Sequence, residues 1–207
     1  MKQKYFDFVM DDLIENTSIK ELEHIFINLN IKTVYVLREL KKKEDYSIKF
    51  ILPKTSSNKI ILKKAYLLKD PSLFHLYKEK EILFVESKSL KNNTFISTHK
   101  KIKFLKDPLS EKLSFDEQNA RSCFQNKIKV VFDINLFRSN NNKSFLKQAI
   151  FIIPLLKKHK VDMIFSSFAK TKEDLVDFNI FSSFLKNFYL EEEIINRFLS
   201  KEILKLE

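Results

Sequence analysis

The chain contains no glycine and no tryptophan, and only one cysteine and four prolines in 207 residues. Without glycine, neither a Gly-x-Gly-x-x-Gly loop nor a Gly-x-x-x-x-Gly-Lys loop exists, which removes the usual dinucleotide and P-loop phosphate cradles. The lone Cys123 excludes an intrachain disulfide and any multi-cysteine zinc site, and it fits a reducing compartment. With Ala120 and Phe124 beside it on a predicted helix, it reads as a core-facing thiol. No apolar run approaches the roughly 18 to 20 residues needed to cross a bilayer. Met1-Lys2-Gln3-Lys4-Tyr5 lacks the apolar stretch and small-residue cleavage site of a secretory signal. The expectation is a cytoplasmic protein with no membrane partner.

What the chain has in excess is lysine. Lysine and arginine total 38 against 27 acidic residues, a formal charge of +11, and only Arg38, Arg121, Arg138 and Arg197 are arginine. A net basic surface is the electrostatic footprint of a polyanion partner, RNA above all. The basic clusters are Lys41-Lys42-Lys43, Lys63-Lys64, Lys100-Lys101 with Lys103, and Lys157-Lys158-His159-Lys160. The last also complements a helix C-terminus. The 21 phenylalanines fall mostly on periodic apolar positions, so they are core rather than a base-stacking platform.

No repeat or proline-rich linker interrupts the sequence, and a single domain over residues 1–207 is the simplest organisation. Short apolar runs mark eight candidate strands: Tyr5 to Val9, Thr33 to Leu37, Ile48 to Leu52, Ile60 to Leu68, Ile82 to Val85, Ile102 to Leu105, Ile128 to Leu136 and Val161 to Phe165. Helices lie between many of them. Ser18 with Glu21, Ser114 with Glu117, and Thr171 with Asp174 are start signals, and Glu191 to Glu193 suit the positive end of a last helix. After Ser144 a buried stripe runs to Leu156, with Pro154 predicting a kink. Asn30 and Asn126 stand where a left-handed cap is wanted. Alternation makes the class α/β, a TIM-barrel-like (β/α) barrel with one degenerate unit, since Pro53 to Lys59 is too short for a crossover helix. An open doubly wound sheet is the alternative.

Barrel enzymes keep their chemistry at the C-terminal ends of strands. Those positions hold Asp7, Glu86, Ser87, Asp107, Asp133, Asn135, Ser166 and Ser167. A metal-dependent phosphoesterase of the polymerase and histidinol phosphatase type needs paired histidines after the first strand, and here Phe8-Val9-Met10 follows Asp7. His24, His75, His99 and His159 stand at no ligand spacing from one another and read as solvated or capping residues. Ser166-Ser167 lacks a glycine-flanked elbow, so its hydroxyls are expected to bond local backbone. Asp133, inside an apolar strand, is expected to sit in a structural ion pair. No catalytic residue, metal ligand or cofactor-binding residue is assigned to the chain.

The order of segments from Glu81 onward is more specific than any one motif. Ile82-Leu83-Phe84-Val85-Glu86-Ser87, Lys103 to Pro108, the helix carrying Ala120-Arg121, Val130 to Leu136 with its acid followed by Asn-Leu, and Ser166-Ser167-Phe168-Ala169 follow in turn. Together they resemble the archaeal-type ribonuclease P protein component 3. Phe168 stands where that family usually has a small residue, and Leu175-Val176-Asp177-Phe178 replaces a segment that usually carries an arginine and a proline.

The resemblance implies a noncatalytic subunit of the ribonucleoprotein that removes the 5′ leader from precursor tRNA. In that family the RNA supplies the active site and its Mg2+, and this subunit pairs with ribonuclease P protein component 2, two copies of each, among other protein subunits. Lysines would then offset phosphate repulsion as the RNA compacts. The expected RNA-binding residues are Lys100, Lys101, Lys103, Arg121, Arg138, Lys157, Lys158 and Lys160. Arg138 is the favourite because a guanidinium fork suits phosphate.

Overall fold

The computed structural model describes residues 5–41, 50–55, 59–76, 82–109, 114–138, 143–188 and 190–199. Seven strands stand among them: β1 (Tyr5–Met10), β2 (Ile31–Leu40), β3 (Ile61–Leu68), β4 (Ile82–Glu86), β5 (Phe104–Lys106), β6 (Lys129–Asp133) and β7 (Met163–Ser166). They follow one another in sequence order in one sheet. The pairs β1–β2, β4–β5 and β5–β6 are parallel. Eight helices accompany them: α1 (Asp11–Asn16), α2 (Ile19–Asn28), α3 (Leu90–Thr98), α4 (Glu117–Gln125), α5 (Ile134–Arg138), α6 (Lys143–Lys158), α7 (Phe178–Leu185) and α8 (Glu192–Leu199). The fold is α/β and TIM-barrel-like. No helix among the described residues is long and apolar enough to cross a membrane.

The chain divides into two compact units. The first comprises Met1–Arg38, Lys49–Ala65 and Ser166–Glu207. In it β1 is buried along its whole length, and Val9 bridges in parallel to Ala169 just beyond β7. Phe8 packs on Tyr35 at 5.2 Å and on Phe168 at 5.9 Å between ring centres. The second unit comprises Glu39–Ile48 and Tyr66–Phe165. Its core stacks Phe84 on Phe104 at 4.8 Å and Phe132 on Phe165 at 5.3 Å. Consecutive buried apolar positions in β4 to β7 are what strands covered on both faces require.

Several expectations hold and several do not. Ser18 caps α2 by accepting from the N–H of Glu21 at 3.4 Å. Thr171 and Asp174 form their reciprocal box on a short 3-10 turn, and α8 opens on Glu192 and Glu193. By contrast Phe50 to Leu52 form no strand, so the described residues hold seven strands and not eight; residues 48–49, like Lys42 and Lys43, lie outside the described ones. The apolar run Ile128 to Leu136 is strand only to Asp133, after which α5 begins and takes Asn135 with it. Asp133 starts that turn by accepting from the N–H of Asn135 at 2.9 Å.

The cap of α4 is Asp116, which accepts from the N–H of Asn119 at 2.8 Å. Ser114 instead lies buried and donates to the Pro108 carbonyl at 2.6 Å. Asn30 takes the left-handed conformation expected of it, with φ 58°, but after α4 that role falls to Lys127 (φ 55°) and not Asn126. α6 continues as one helix through Pro154.

Candidate functional site

Within the second unit, charge is sorted by strand end. At the C-terminal ends of β4, β5 and β6 stand Glu86, Asp107 and Asp133, and the Lys106 side chain lies among them, 8% exposed. Its ammonium pairs directly with Asp107, lies 3.8 Å from Glu86 and 4.0 Å from Asp133. Burial alone would discharge a lysine, but the three carboxylates outweigh it and raise Lys106 above the ordinary lysine range. Burial likewise pushes the Asp107 carboxyl up, against the pull of Lys106. Asp107 also accepts from the N–H of Asp133 at 2.9 Å. The ion pair expected for Asp133 is therefore present, and its partner is a buried lysine. Among the described residues, no group of three or more His, Cys, Asp or Glu is arranged to hold a metal ion.

The N-terminal ends of β5, β6 and β7 are basic. Lys100, Lys101 and Lys103 lead into β5, Lys127 and Lys129 into β6, and Lys157, Lys158 and Lys160 into β7. Neighbouring pairing holds these entries side by side. The N–H of Lys129 donates to the carbonyl of Lys103 at 2.9 Å, and that of Val130 to Asp162 at 3.0 Å. Arg121 joins the group through Glu117, whose Oε1 takes Arg121 at 3.0 Å, Lys158 at 3.1 Å and His159 at 3.1 Å. The Arg121 guanidinium, then Lys158, hold the Glu117 carboxyl down at about 2. Among the described residues, the other carboxylate at these entries is Asp162, 3.7 Å from Lys129. A cation-rich rim with few acids can neutralise phosphates along a strand of RNA.

Seven of the eight residues picked from the sequence thus gather at this rim. Arg138 does not, because it closes α5 beyond the C-terminal end of β6, where its guanidinium donates to Asn135 at 3.0 Å. Lys127 and Lys129 were missed as members of the rim; their place just before and at the start of a buried strand was the available signal. Lys106 was missed as well. A lysine inside Phe104-Leu105-Lys106-Asp107 must find acid to be buried, and that is visible in the sequence once the strand is recognised.

The first unit holds a second polar cluster, around the fully buried Asp7. Its Oδ1 accepts from the N–H of Phe8 at 2.9 Å, from the N–H of Ser167 at 2.8 Å and from the Ser166 hydroxyl. Its Oδ2 accepts from the Ser167 hydroxyl at 2.5 Å. Burial outweighs these four hydrogen bonds, and the carboxyl is pushed up to about 6. The two serines were expected to bond nearby backbone. Ser167 does so, its hydroxyl accepting from the N–H of Ala169 at 3.2 Å, but both hydroxyls also bond to a carboxylate some 160 positions earlier, which sequence spacing could not reveal.

The remaining candidates are plain. Cys123 is buried, and burial pushes its thiol up to about 12, as an inert core residue requires. His24 and His75 are exposed, His75 beside the Ser72 carbonyl at 2.8 Å. His99 packs against Phe74 at 4.5 Å and Phe95 at 5.5 Å.

The sequence matches no family model and no curated protein. The fold does have counterparts. A chain from the cryo-EM structure of archaeal ribonuclease P with mature tRNA superposes at TM-score 0.72 with 14% identity, covering 96% of this chain and 87% of that one. A crystal structure of an uncharacterised protein superposes at TM-score 0.57 with 7% identity, over 97% of this chain and 73% of that one. At such identities the likeness is one of fold.

Proposed function

We propose that this chain is a protein subunit of ribonuclease P, the ribonucleoprotein endonuclease that removes the 5′ leader from precursor tRNA. The observation that carries the reading is the fold shared over 96% of the chain with a chain of archaeal ribonuclease P. It stands beside the ordered resemblance of Ile82 to Ala169 to protein component 3. Fold likeness alone does not assign function, so the charge arrangement matters: the basic rim at the entries of β5, β6 and β7 supports RNA binding, as a subunit that braces RNA requires.

In this reading the chain works in the cytoplasm and is itself noncatalytic, and it binds no cofactor. The RNA, with its Mg2+, cuts the substrate. Lys100, Lys101, Lys103, Arg121, Lys157, Lys158 and Lys160 contact phosphates as one surface, and Arg138 makes a separate contact. Protein component 2 is the protein neighbour, two copies pairing with two of this chain, among other protein subunits.

The test is reconstitution. This chain and component 2 are added to ribonuclease P RNA at limiting Mg2+, and cleavage of precursor tRNA is measured. Stimulation beyond that by component 2 alone is expected; its absence sinks the proposal. Turnover of a phosphoester by the isolated chain with added divalent metal, without RNA, would favour the phosphoesterase reading instead.

A further inference from the structure

The outer face of α6 differs from the charged surface around it. Lys147, Ile150, Phe151, Pro154 and Lys158 recur at helical spacing and fall in one exposed stripe, opposite the buried Phe145, Ala149, Ile152, Ile153 and Leu156. Phe151 is 80% exposed and Ile150 61%, and exposed Pro154 continues the apolar strip. Single exposed apolar residues are ordinary. Three adjoining on one helix face are a surface that contact with another molecule would bury.

The ends of the strip define its occupant. Lys147 stands at one end and Lys158, already held by Glu117 at 3.1 Å, at the other, eleven residues on and about 16 Å along the axis. No acidic residue occurs anywhere in α6, and Lys147 has no charged partner among the described residues. We propose that this face docks an α-helix of another protein whose apolar residues cover Ile150 and Phe151 and whose carboxylate meets Lys147 at the exposed N-terminal end of the strip.

Charge selects this occupant over two others. In a second copy of this chain packed antiparallel, Lys147 would face the lysines around Lys158, in a molecule already carrying +11. RNA could stack a base on Phe151, but Ile150 and Pro154 offer no aromatic face, so most of the strip would lie idle. A helix of mixed acidic and apolar character uses all of it.

The inference deepens the subunit reading and rests on it for its probe, protein component 2. Two experiments on the full chain test it. A photoreactive benzoylphenylalanine replaces Phe151 in complexes reconstituted with component 2 and ribonuclease P RNA, and the double variant Ile150→Ser, Phe151→Ser is assayed for affinity to component 2. Cross-linking to component 2 is expected, with at least about tenfold weaker binding by the double variant and unchanged melting temperature and RNA affinity. A second variant, Lys147→Glu, should also weaken binding, and more so at low salt.

Cross-linking to RNA or to another copy of the chain overturns the proposal. So does undiminished affinity of the double variant for component 2. Failure of the unsubstituted chain to bind either component 2 or the RNA would instead count against the subunit reading itself, and would take this inference with it.

Discussion

Ser167 meets both oxygens of Asp7, its backbone N–H reaching Oδ1 at 2.8 Å and its hydroxyl reaching Oδ2 at 2.5 Å. The pair fastens β1 to the chain just beyond β7, where the Met10 N–H also donates to the Ala169 carbonyl at 2.9 Å. Asp7→Ala strands buried donors and should cost about 2 kcal/mol or more. Asp7→Asn should cost less than half as much, because the amide oxygen can keep the Oδ1 bonds while its N–H donates to a rotated Ser167 hydroxyl. Urea unfolding of both variants checks this, and equal losses would show that the acceptor at Oδ1 does not matter.

The same carboxyl makes stability depend on pH. Its folded value is about 6, above the roughly 3.9 of an unfolded aspartate, so between those values the folded chain binds more protons. Stability from this group therefore falls as pH rises from about 4 to about 6 and stays low above. Wild type should gain on Asp7→Asn by about 2 kcal/mol as pH is lowered from 7.5 to 4.5. Parallel stability curves for the two proteins would refute the assignment.

This clasp shows where sequence reasoning stops. Alternating apolar runs and capping residues such as Ser18 made the α/β class readable, because both signals are local. They misled where local signals overlap: Ile128 to Leu136 looks like one strand, yet Asp133 turns the chain into α5 by bonding the N–H of Asn135. The lysines of the rim were visible, but their gathering was not, since it depends on which strands pair. Arg138 follows a strand closely in sequence, just as Lys103 and Lys160 closely precede one, and only the structure separates strand entries from exits. Asp7 and Ser167 could not be matched at all without knowing that β1 lies next to the residues after β7.

Lys106 should be the most costly strand-end residue to lose. Lys106→Met leaves Asp107 buried beside Glu86 and Asp133 with no ammonium between them, and removing one partner of a buried pair costs about 3 to 5 kcal/mol. Without that cation the folded carboxyls hold protons more tightly than the unfolded chain does, so acid restores stability. The deficit of Lys106→Met against wild type should shrink as pH falls from 7.5 to 5. A deficit independent of pH would mean that lost packing, not stranded charge, is its cause.

The absence of glycine leaves a mark that substitution can read. Lys127, at φ 55°, occupies the left-handed position after α4, a conformation costing a residue with a side chain about 1 to 2 kcal/mol. Glycine would remove that cost while adding about 0.5 to 1 kcal/mol of unfolded-state entropy. Lys127→Gly should thus stabilise by about 0.5 kcal/mol, and Asn30→Gly, which replaces a residue tolerant of the same conformation, by less. Thermal unfolding of the two variants side by side decides it, and a larger gain at Asn30 would contradict the argument.

The rim and Arg138 make separable demands on RNA binding. Each phosphate contact removed should lower the slope of log affinity against log salt by about 1. Lys101→Glu and Lys160→Glu act on entries to β5 and β7 within one basic surface, so reversing either should weaken binding and flatten the salt dependence, and the pair should fall short of additivity. Arg138 stands beyond the opposite end of β6, the end at which Asp133 lies. Its reversal should therefore add independently to either rim variant, with no coupling beyond about 0.5 kcal/mol. Affinity for ribonuclease P RNA measured across a salt series gives all of these quantities at once. Unchanged slopes for the rim variants would remove the rim from the RNA contact, whatever Arg138 then shows.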